Sequence, residues 1–188
     1  MNSEKGPWRF WTIPNLLSIF RILLIGPIIF LLLQDSRLCL NIALVLIFLG
    51  VLSDFLDGKI ARKFNQISEV GKILDPVADK LAVGAVIIVL VFHRDFPIWA
   101  AALIIGRDVL ILIAGLLWAT RYKFVVPSNI LGKWTVFFIS LMIIAYIIHI
   151  PELEKILTIV AAFFVILSGI VYLIRFIKGV KTEQAAQK

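Results

Sequence analysis

The residues best suited to chemistry in this sequence are four aspartates between two apolar stretches, with small and basic residues at fixed distances from them. They form the pattern Asp54-x-x-Asp57-Gly58-x-x-Ala61-Arg62, followed by Gly71-x-x-x-Asp75-x-x-x-Asp79. On an α-helix, at about 100° per residue, each half of the pattern places its aspartates along one stripe of the helix surface. Two such helices side by side would bring the two acidic stripes together.

A metal site is the chemistry that this acidic pattern favours. Carboxylates grouped near a bilayer repel one another and lose hydration, which divalent cations between them would offset. Their hard oxygen ligands favour magnesium, manganese or calcium over zinc. Two ions bridged by carboxylates are suited to holding a diphosphate while a P–O bond breaks. Gly58 and Ala61 would let a substrate approach the helix closely, and Arg62 would add a permanent cation.

The composition indicates that membrane-spanning helices position these residues. Of the 188 residues 61% are hydrophobic and 16% are charged, whereas a soluble domain has about 25% charged residues. At about 20 residues per span, six apolar runs can cross a bilayer: 13–33, 38–53, 81–92, 96–120, 134–151 and 156–174. We therefore predict an all-α polytopic membrane protein with six transmembrane helices, forming a single domain over residues 1–188.

The aspartate pattern falls at the ends of the second and third predicted helices. No proline interrupts residues 38–63, so helix two is expected to continue through its acidic part, with a turn at 64–68 and helix three beginning near Glu69. Pro76 removes one backbone hydrogen bond, which predicts a kink or a helix start there. Aromatic residues beside a cation predict a short interfacial amphipathic helix within residues 1–12. Residues 178–188 form a polar tail that is expected to fray.

The charge distribution predicts the orientation of the chain in the membrane. Only three of the 19 lysines and arginines, Arg37, Arg94 and Lys155, lie in the loops after helices one, three and five. The positive-inside rule therefore places both termini and the aspartate pattern in the cytoplasm. The net charge of +7 is then explained by a basic face that attracts anionic lipid headgroups and phosphorylated substrates, and we expect no nucleic-acid partner.

The complete pattern from Asp54 to Asp79 resembles the signature of the CDP-alcohol phosphotransferases, also called CDP-alcohol phosphatidyltransferases, because every signature position is filled. A weaker likeness to the phosphatidylglycerophosphate synthase branch of that family extends over most of the chain. It is carried by Pro14-Asn15, Arg21, Asp75-Pro76-x-Ala78-Asp79-Lys80, Arg107-Asp108 and Gly132-Lys133.

The resemblance implies a six-helix bundle, usually a homodimer, that transfers a phosphatidyl group from CDP-diacylglycerol to an alcohol and releases CMP. It implies two divalent ions, Mg²⁺ or Mn²⁺, and a bacterial inner-membrane location with the active site facing the cytoplasm. Asp79 would border the second ion and act as general base toward the acceptor hydroxyl. The metal ligands would be Asp54, Asp57, Asp75 and Asp79. The cytidine diphosphate would bind to Asp54, Gly58, Ala61, Arg62 and Gly71.

Charges within the later helices suggest where the acceptor binds. Arg107 and Asp108 lie midway along an apolar run, where isolated charges are costly, so both must face the interior. Either the two residues form a structural ion pair, or Arg107 is part of a pocket for the phosphate of the acceptor. Lys133 and Arg175 are either membrane anchors or further phosphate ligands. Three converging cations would fit a phosphomonoester such as glycerol 3-phosphate, which we predict as the acceptor.

Alternatives to this acceptor and to an enzyme stay open. Residues 132–136 lack the second lysine of the Gly-Lys-x-Lys-Thr pattern common in the synthase branch. Arg107-Asp108, in place of Arg-Glu, resembles eukaryotic-type cardiolipin synthases, whose acceptor is phosphatidylglycerol. Inositol-phosphate transfer is a further alternative. Outside enzymes, intramembrane carboxylates also mark small cation transporters, but all four aspartates lie at one end of their helices. His93 and His149 are expected at membrane interfaces, without a catalytic role.

Overall fold

The computed structural model describes the backbone of residues 12–34, 36–63, 69–121 and 130–186, and the side chains of 12–34, 36–53, 71, 73–115 and 130–177. This described backbone forms six α-helices. They are α1 (Ile13–Leu33), α2 (Arg37–Lys63), α3 (Glu69–His93), α4 (Ile98–Arg121), α5 (Ile130–Ile148) and α6 (Pro151–Ala186). Their order and number agree with the six predicted helices.

Four of these helices are long and apolar enough, within the described residues, to cross a membrane. The qualifying segments are Ile13–Leu33, Ile98–Gly115, Ile130–Ile148 and Pro151–Ile177. Arg37–Ser53 in α2 is a shorter apolar helix. Large apolar side chains such as Leu23, Phe30 and Phe163 point outward, as expected where lipid rather than water surrounds the helices. The structure therefore shows an all-helical chain with the character of an integral membrane protein.

The helices group into two compact units, and the first is Met1–Asp95. Here α1 packs against α2 and α3. The hydroxyl of Thr12 caps α1 by accepting a hydrogen bond of 3.4 Å from the amide of Asn15. Pro14 lies in the first turn, where its missing N–H costs no helical hydrogen bond. The buried residues of α1 include Asn15, Ser18 and Arg21, so this helix turns polar side chains toward its neighbours.

The helices that carry the aspartate pattern confirm two predictions and exclude one of the two alternatives stated for Pro76. The α2 helix continues past Ser53 to Lys63, and α3 begins at Glu69, both as predicted. Pro76 lies inside α3, so it is not a helix start. Seven residues of α3 precede this proline, which shows that the helix tolerates the loss of one backbone hydrogen bond. The predicted turn at 64–68 lies outside the described residues.

The second unit is Phe96–Lys188, in which α6 packs against both α4 and α5. Thr135 is fully buried and its hydroxyl lies 2.8 Å from the carbonyl oxygen of Leu131 and 3.1 Å from that of Phe164 on α6. Phe138 and Phe164 stack with ring centroids 4.7 Å apart. The hydrogen bond and the ring stack both join α5 to α6 at Phe164.

The ends of the last two helices differ from the predicted spans. The α5 helix begins at Ile130 rather than at residue 134, and α6 covers Pro151–Ala186 rather than 156–174. For α6, polar residues at the helix ends such as Glu152, Lys155 and Arg175 explain the difference, since a hydropathy pattern omits them although they are good helix formers. Glu152 and Glu154 lie in the first turn of α6, where the helix dipole favours negative charge. The backbone stays helical through most of the expected tail, and residues 1–11 lie outside the described part.

Candidate active site

The second half of the aspartate pattern forms one stripe on α3. Asp75 and Asp79 are separated by one helical turn, and their side chains are 42% and 38% exposed. Ala78, between them in sequence, is fully buried. The backbone of this stripe is therefore packed within the unit, while its two carboxylates are partly exposed. A substrate could reach carboxylates placed in this way.

An arginine from α1 contacts both carboxylates. Arg21 is only 4% exposed, and it donates through Nη2 to Oδ1 of Asp75 and through Nη1 to Oδ1 of Asp79. The hydroxyl of Ser18 also lies 3.4 Å from Oδ1 of Asp75. One planar guanidinium thus holds two carboxylates from successive turns of the neighbouring helix, a geometry that lysine cannot reproduce.

The first half of the pattern is located only by its backbone. Residues 54–63 form the last part of α2, but the side chains of Asp54, Asp57, Gly58, Ala61 and Arg62 lie outside the described residues. Among the described side chains no group of three or more histidines, cysteines or carboxylates is assembled for a metal, and this part of the chain includes only two of the four aspartates. The meeting of all four carboxylates stays a prediction.

The described pair fits a hard divalent cation. Asp75 and Asp79 offer carboxylate oxygens, the ligand type preferred by Mg²⁺ and Mn²⁺. Their Oδ1 atoms are taken by Arg21 and Ser18, whereas within the described residues neither Oδ2 atom has a protein partner. Both side chains are also partly exposed, so the two Oδ2 atoms are available as ligands. Gly71 lies in the same helix and is half-buried.

A second polar cluster lies in the other unit, around Arg107 of α4. Its side chain is 9% exposed, and Nη1 donates to Oδ1 of Asp108 over 2.6 Å. Ser168 of α6 accepts hydrogen bonds from Nε, at 3.2 Å, and from Nη2, at 3.0 Å. The guanidinium carbon lies 5.7 Å from the ring centroid of Tyr172, within the range of a cation–π contact. Both charged side chains face the interior, as predicted.

Two glycines show that three helices converge on this arginine. A Cβ added to Gly132 of α5 would lie 3.6 Å from the hydroxyl of Tyr172 and 3.9 Å from Nη2 of Arg107. One added to Gly169 of α6 would lie 3.8 Å from Cγ of Arg107. The Arg107 cluster, which we define as Arg107, Asp108, Ser168 and Tyr172, is therefore bordered by α5 as well as α6.

The two other predicted acceptor cations lie next to this cluster along their helices. Lys133 follows Gly132 in the first turns of α5, and Arg175 lies three residues after Tyr172 in α6. Both side chains are exposed. Ser168 and Tyr172 were not singled out from the sequence. A serine within an apolar span is the signal for Ser168, because a buried hydroxyl in a membrane helix needs a hydrogen-bond partner.

Comparison with known proteins identifies the class of protein to which this fold and site belong. Residues 11–167 match the family described as CDP-alcohol phosphatidyltransferase. The chain therefore belongs to the CDP-alcohol phosphatidyltransferase family, as its aspartate pattern predicted.

Individual members of this family are similar to the chain over much of its length. The chain is 34% identical over 181 residues to the CDP-diacylglycerol–glycerol-3-phosphate 3-phosphatidyltransferase of Aquifex aeolicus, covering 91% of this chain and 99% of that protein. It is 36% identical over 169 residues to the protein of that name from Rickettsia bellii, covering 85% and 92%. It is also 34% identical over 134 residues to the cardiolipin synthase (CMP-forming) of Streptomyces coelicolor, covering 69% and 61%.

Family membership establishes the type of activity. The chain is an enzyme, a phosphatidyltransferase of phospholipid biosynthesis, and this favours catalysis over the cation transport considered above. The matched segment includes both Asp75 and Asp79 on α3 and Arg107 on α4. Ser168, Tyr172 and Arg175 follow it directly.

Proposed function

We propose that this protein transfers the phosphatidyl group of CDP-diacylglycerol to a hydroxyl of glycerol 3-phosphate, giving phosphatidylglycerophosphate and CMP. The observation that carries the proposal is the buried guanidinium of Arg107, held by Asp108 and Ser168. A cation inside an apolar helix is costly, and a phosphorylated acceptor explains why it is kept.

The hydrogen bonds of Arg107 leave capacity for a phosphate. A guanidinium has five N–H donors, of which Ser168 engages two and Asp108 engages one. Within the described residues two donors remain, the number needed for a bidentate contact to phosphate. Asp108 balances most of the charge of Arg107, so Lys133 and Arg175 would supply the positive charge that a phosphomonoester dianion requires.

The carboxylates of α3 supply the chemistry of transfer. Asp79 would take the proton of the acceptor hydroxyl, whose oxygen then attacks the phosphorus that bears diacylglycerol. The bond from this phosphorus to the CMP oxygen breaks, and CMP leaves with the electron pair. Asp54, Asp57, Asp75 and Asp79 would be the ligands of two divalent ions, and Mg²⁺ or Mn²⁺ bound there would neutralise charge on the diphosphate. The donor nucleotide would bind to Asp54, Gly58, Ala61, Arg62 and Gly71.

The membrane arrangement completes the proposal. All six helices would cross the bilayer as one catalytic domain over residues 1–188, after an interfacial segment at 1–12, with both termini in the cytoplasm. The distribution of lysine and arginine supports this orientation. The protein would be a homodimer in a bacterial inner membrane, with its active site open to cytoplasmic glycerol 3-phosphate.

Cardiolipin synthesis is the second candidate function. The Streptomyces coelicolor match and the Arg107-Asp108 pair favour it. The share of each relative that aligns with this chain favours glycerol 3-phosphate as the acceptor. The Aquifex and Rickettsia proteins align over at least 92% of their length, whereas the Streptomyces protein aligns over 61%.

An acceptor panel separates these functions. Purified protein with CDP-diacylglycerol and Mg²⁺ or Mn²⁺ is expected to release CMP with glycerol 3-phosphate and to form phosphatidylglycerophosphate. Glycerol, which lacks the phosphate, should react at least about 10²-fold more slowly, because the cations of the acceptor pocket are left unpaired. Phosphatidylglycerol and an inositol phosphate complete the panel. CMP release with phosphatidylglycerol alone would overturn the choice of acceptor.

Replacement of Ser168 tests how the arginine is held. Ser168→Ala removes two hydrogen bonds to the Arg107 guanidinium without changing charge. We expect KM for glycerol 3-phosphate to rise about tenfold, with kcat and the KM for CDP-diacylglycerol nearly unchanged. Steady-state kinetics with each substrate varied in turn measures this. Ser140→Ala is the matched control, since the Ser140 hydroxyl donates within its own helix, to the carbonyl oxygen of Val136; an unchanged KM in Ser168→Ala would contradict the role.

A further inference from the structure

The α1 helix and its N-cap residue carry a row of buried polar side chains, one at every third position, in an otherwise apolar span. The row is Thr12, Asn15, Ser18 and Arg21. A polar row in an apolar helix is costly unless each group has a partner. The partners of Ser18 and Arg21 include the carboxylates of α3. The polar face of this part of α1 therefore contacts the carboxylates of α3 and does not face lipid.

The contacts from α1 to the two carboxylates reach the same oxygen, Oδ1, of each. Arg21 donates to Oδ1 of Asp75 and to Oδ1 of Asp79, and the hydroxyl of Ser18 lies 3.4 Å from Oδ1 of Asp75. Because Arg21 is nearly fully buried and its guanidinium is planar, these bonds limit rotation of both carboxyl groups. The Oδ2 atom of each carboxylate has no protein partner among the described residues.

We infer that Arg21, assisted by Ser18, is a positioning residue that orients Asp75 and Asp79 so that their Oδ2 atoms can bind a divalent cation. This inference rests on the metal site of the proposed function. Hydrogen bonds from outside the ligand shell orient metal-binding carboxylates, and their loss typically weakens metal binding about 10- to 100-fold. Arg21 would act through the carboxylates and touch neither substrate nor metal.

A purely electrostatic role for Arg21 predicts the opposite effect of its removal on metal affinity. If the arginine only neutralised the carboxylates, it would compete with the incoming cation, and its removal would strengthen metal binding. Lysine at the same position would then behave like arginine, since the charge is kept. Positioning requires the two-pronged guanidinium, because an ammonium group is a compact point charge that does not match the fork geometry.

Direct binding of Mn²⁺ to the purified full-length protein tests the inference. Free Mn²⁺ is measured by electron paramagnetic resonance during titration, without substrate. We expect both Arg21→Met and Arg21→Lys to raise the dissociation constant about 10- to 100-fold. Arg37→Met, at the first residue of α2, is the control, because it removes the same charge far from α3 in sequence. Gel filtration and circular dichroism establish that each variant is folded.

A second variant keeps the test valid if replacing Arg21 prevents folding. Ser18→Ala removes the hydroxyl beside Oδ1 of Asp75 without a charge change, and we expect it to weaken Mn²⁺ binding about three- to tenfold. The inference would be overturned if Arg21→Met binds Mn²⁺ as tightly as the wild-type protein or more tightly, or if Arg21→Lys binds it as tightly as the wild type. If the Arg21 variants do not fold, wild-type binding of Mn²⁺ by Ser18→Ala would overturn it. If the wild-type protein itself binds no Mn²⁺, the proposed metal site fails instead, so the two failures can be told apart.

Discussion

Asp79→Asn is expected to lower the rate of CMP release about 10²- to 10⁴-fold, the usual contribution of a general base. The amide has nearly the shape of the carboxyl group and can still accept a hydrogen bond from Arg21, but it cannot take the proton of the acceptor hydroxyl. The loss should appear in kcat at saturating glycerol 3-phosphate and CDP-diacylglycerol. Single-turnover measurements of CMP and lipid product would locate it at the transfer step.

Asp95→Asn is the matched control for this substitution. Asp95 is exposed and has a φ of 51°, a backbone conformation that asparagine also adopts readily, so the change should leave activity and stability unaltered. Asp75→Asn should also abolish CMP release, through loss of a metal ligand rather than of the base. Near-normal turnover by Asp79→Asn in a folded protein would remove Asp79 from the reaction.

Arg107→Lys is expected to lower kcat/KM for glycerol 3-phosphate about 10²-fold, because two charge-assisted hydrogen bonds to the phosphate are lost or weakened. Lysine keeps a positive charge beside the buried Asp108 carboxylate, so the substitution preserves the pair of opposite charges. The KM for CDP-diacylglycerol should change little. Initial rates with each substrate varied separately measure both effects.

Two companion variants distinguish a role of Arg107 in substrate binding from a purely structural role. Arg37→Lys makes the same change at an exposed position of α2 and should have no effect. Arg107→Met with Asp108→Asn removes both buried charges together and should fold, while using glycerol 3-phosphate no better than Arg107→Lys does. A double variant that keeps full activity would show that the pair only joins helices, the structural interpretation considered from the sequence.

The two polar clusters divide the proposed chemistry between the compact units. Asp75 and Asp79, with Arg21, lie in Met1–Asp95, whereas Arg107 and its partners lie in Phe96–Lys188. The first cluster is acidic and fits metal-assisted diphosphate chemistry. The second has a cation held by neutral and acidic neighbours and fits anion binding. Variants of the first should therefore change kcat, and variants of the second should change KM for the acceptor.

Local spacing was enough to predict most of the helices. The α1 helix has the predicted bounds, α2 continues past Ser53 because no proline stops it, and α3 begins at Glu69. Prediction was weaker where polar residues with high helix propensity flank a span, so α6 begins five residues before the predicted residue 156 and extends well beyond 174. A hydropathy pattern marks the part of a helix in the bilayer, whereas hydrogen bonding decides where it ends.

The site was predictable only in part. The aspartates were evident from their spacing, and Arg107 and Asp108 from their charge in an apolar run. Arg21 was noticed without a role, and Ser168 was missed. Arg21 lies 54 and 58 positions from the two aspartates that it contacts, and Ser168 lies 61 from Arg107. Sequence spacing carries no information about such pairs.

By itself, the sequence determined an all-helical membrane enzyme of the CDP-alcohol phosphatidyltransferase family, because composition, period and a dense local motif depend on neighbouring residues along the chain. Only the tertiary structure decided that Arg21 and Ser18 hold Asp75 and Asp79 by one oxygen each, and that Ser168 holds Arg107. Those contacts depend on how helices are packed side by side, where a buried polar group must find its partner on another helix.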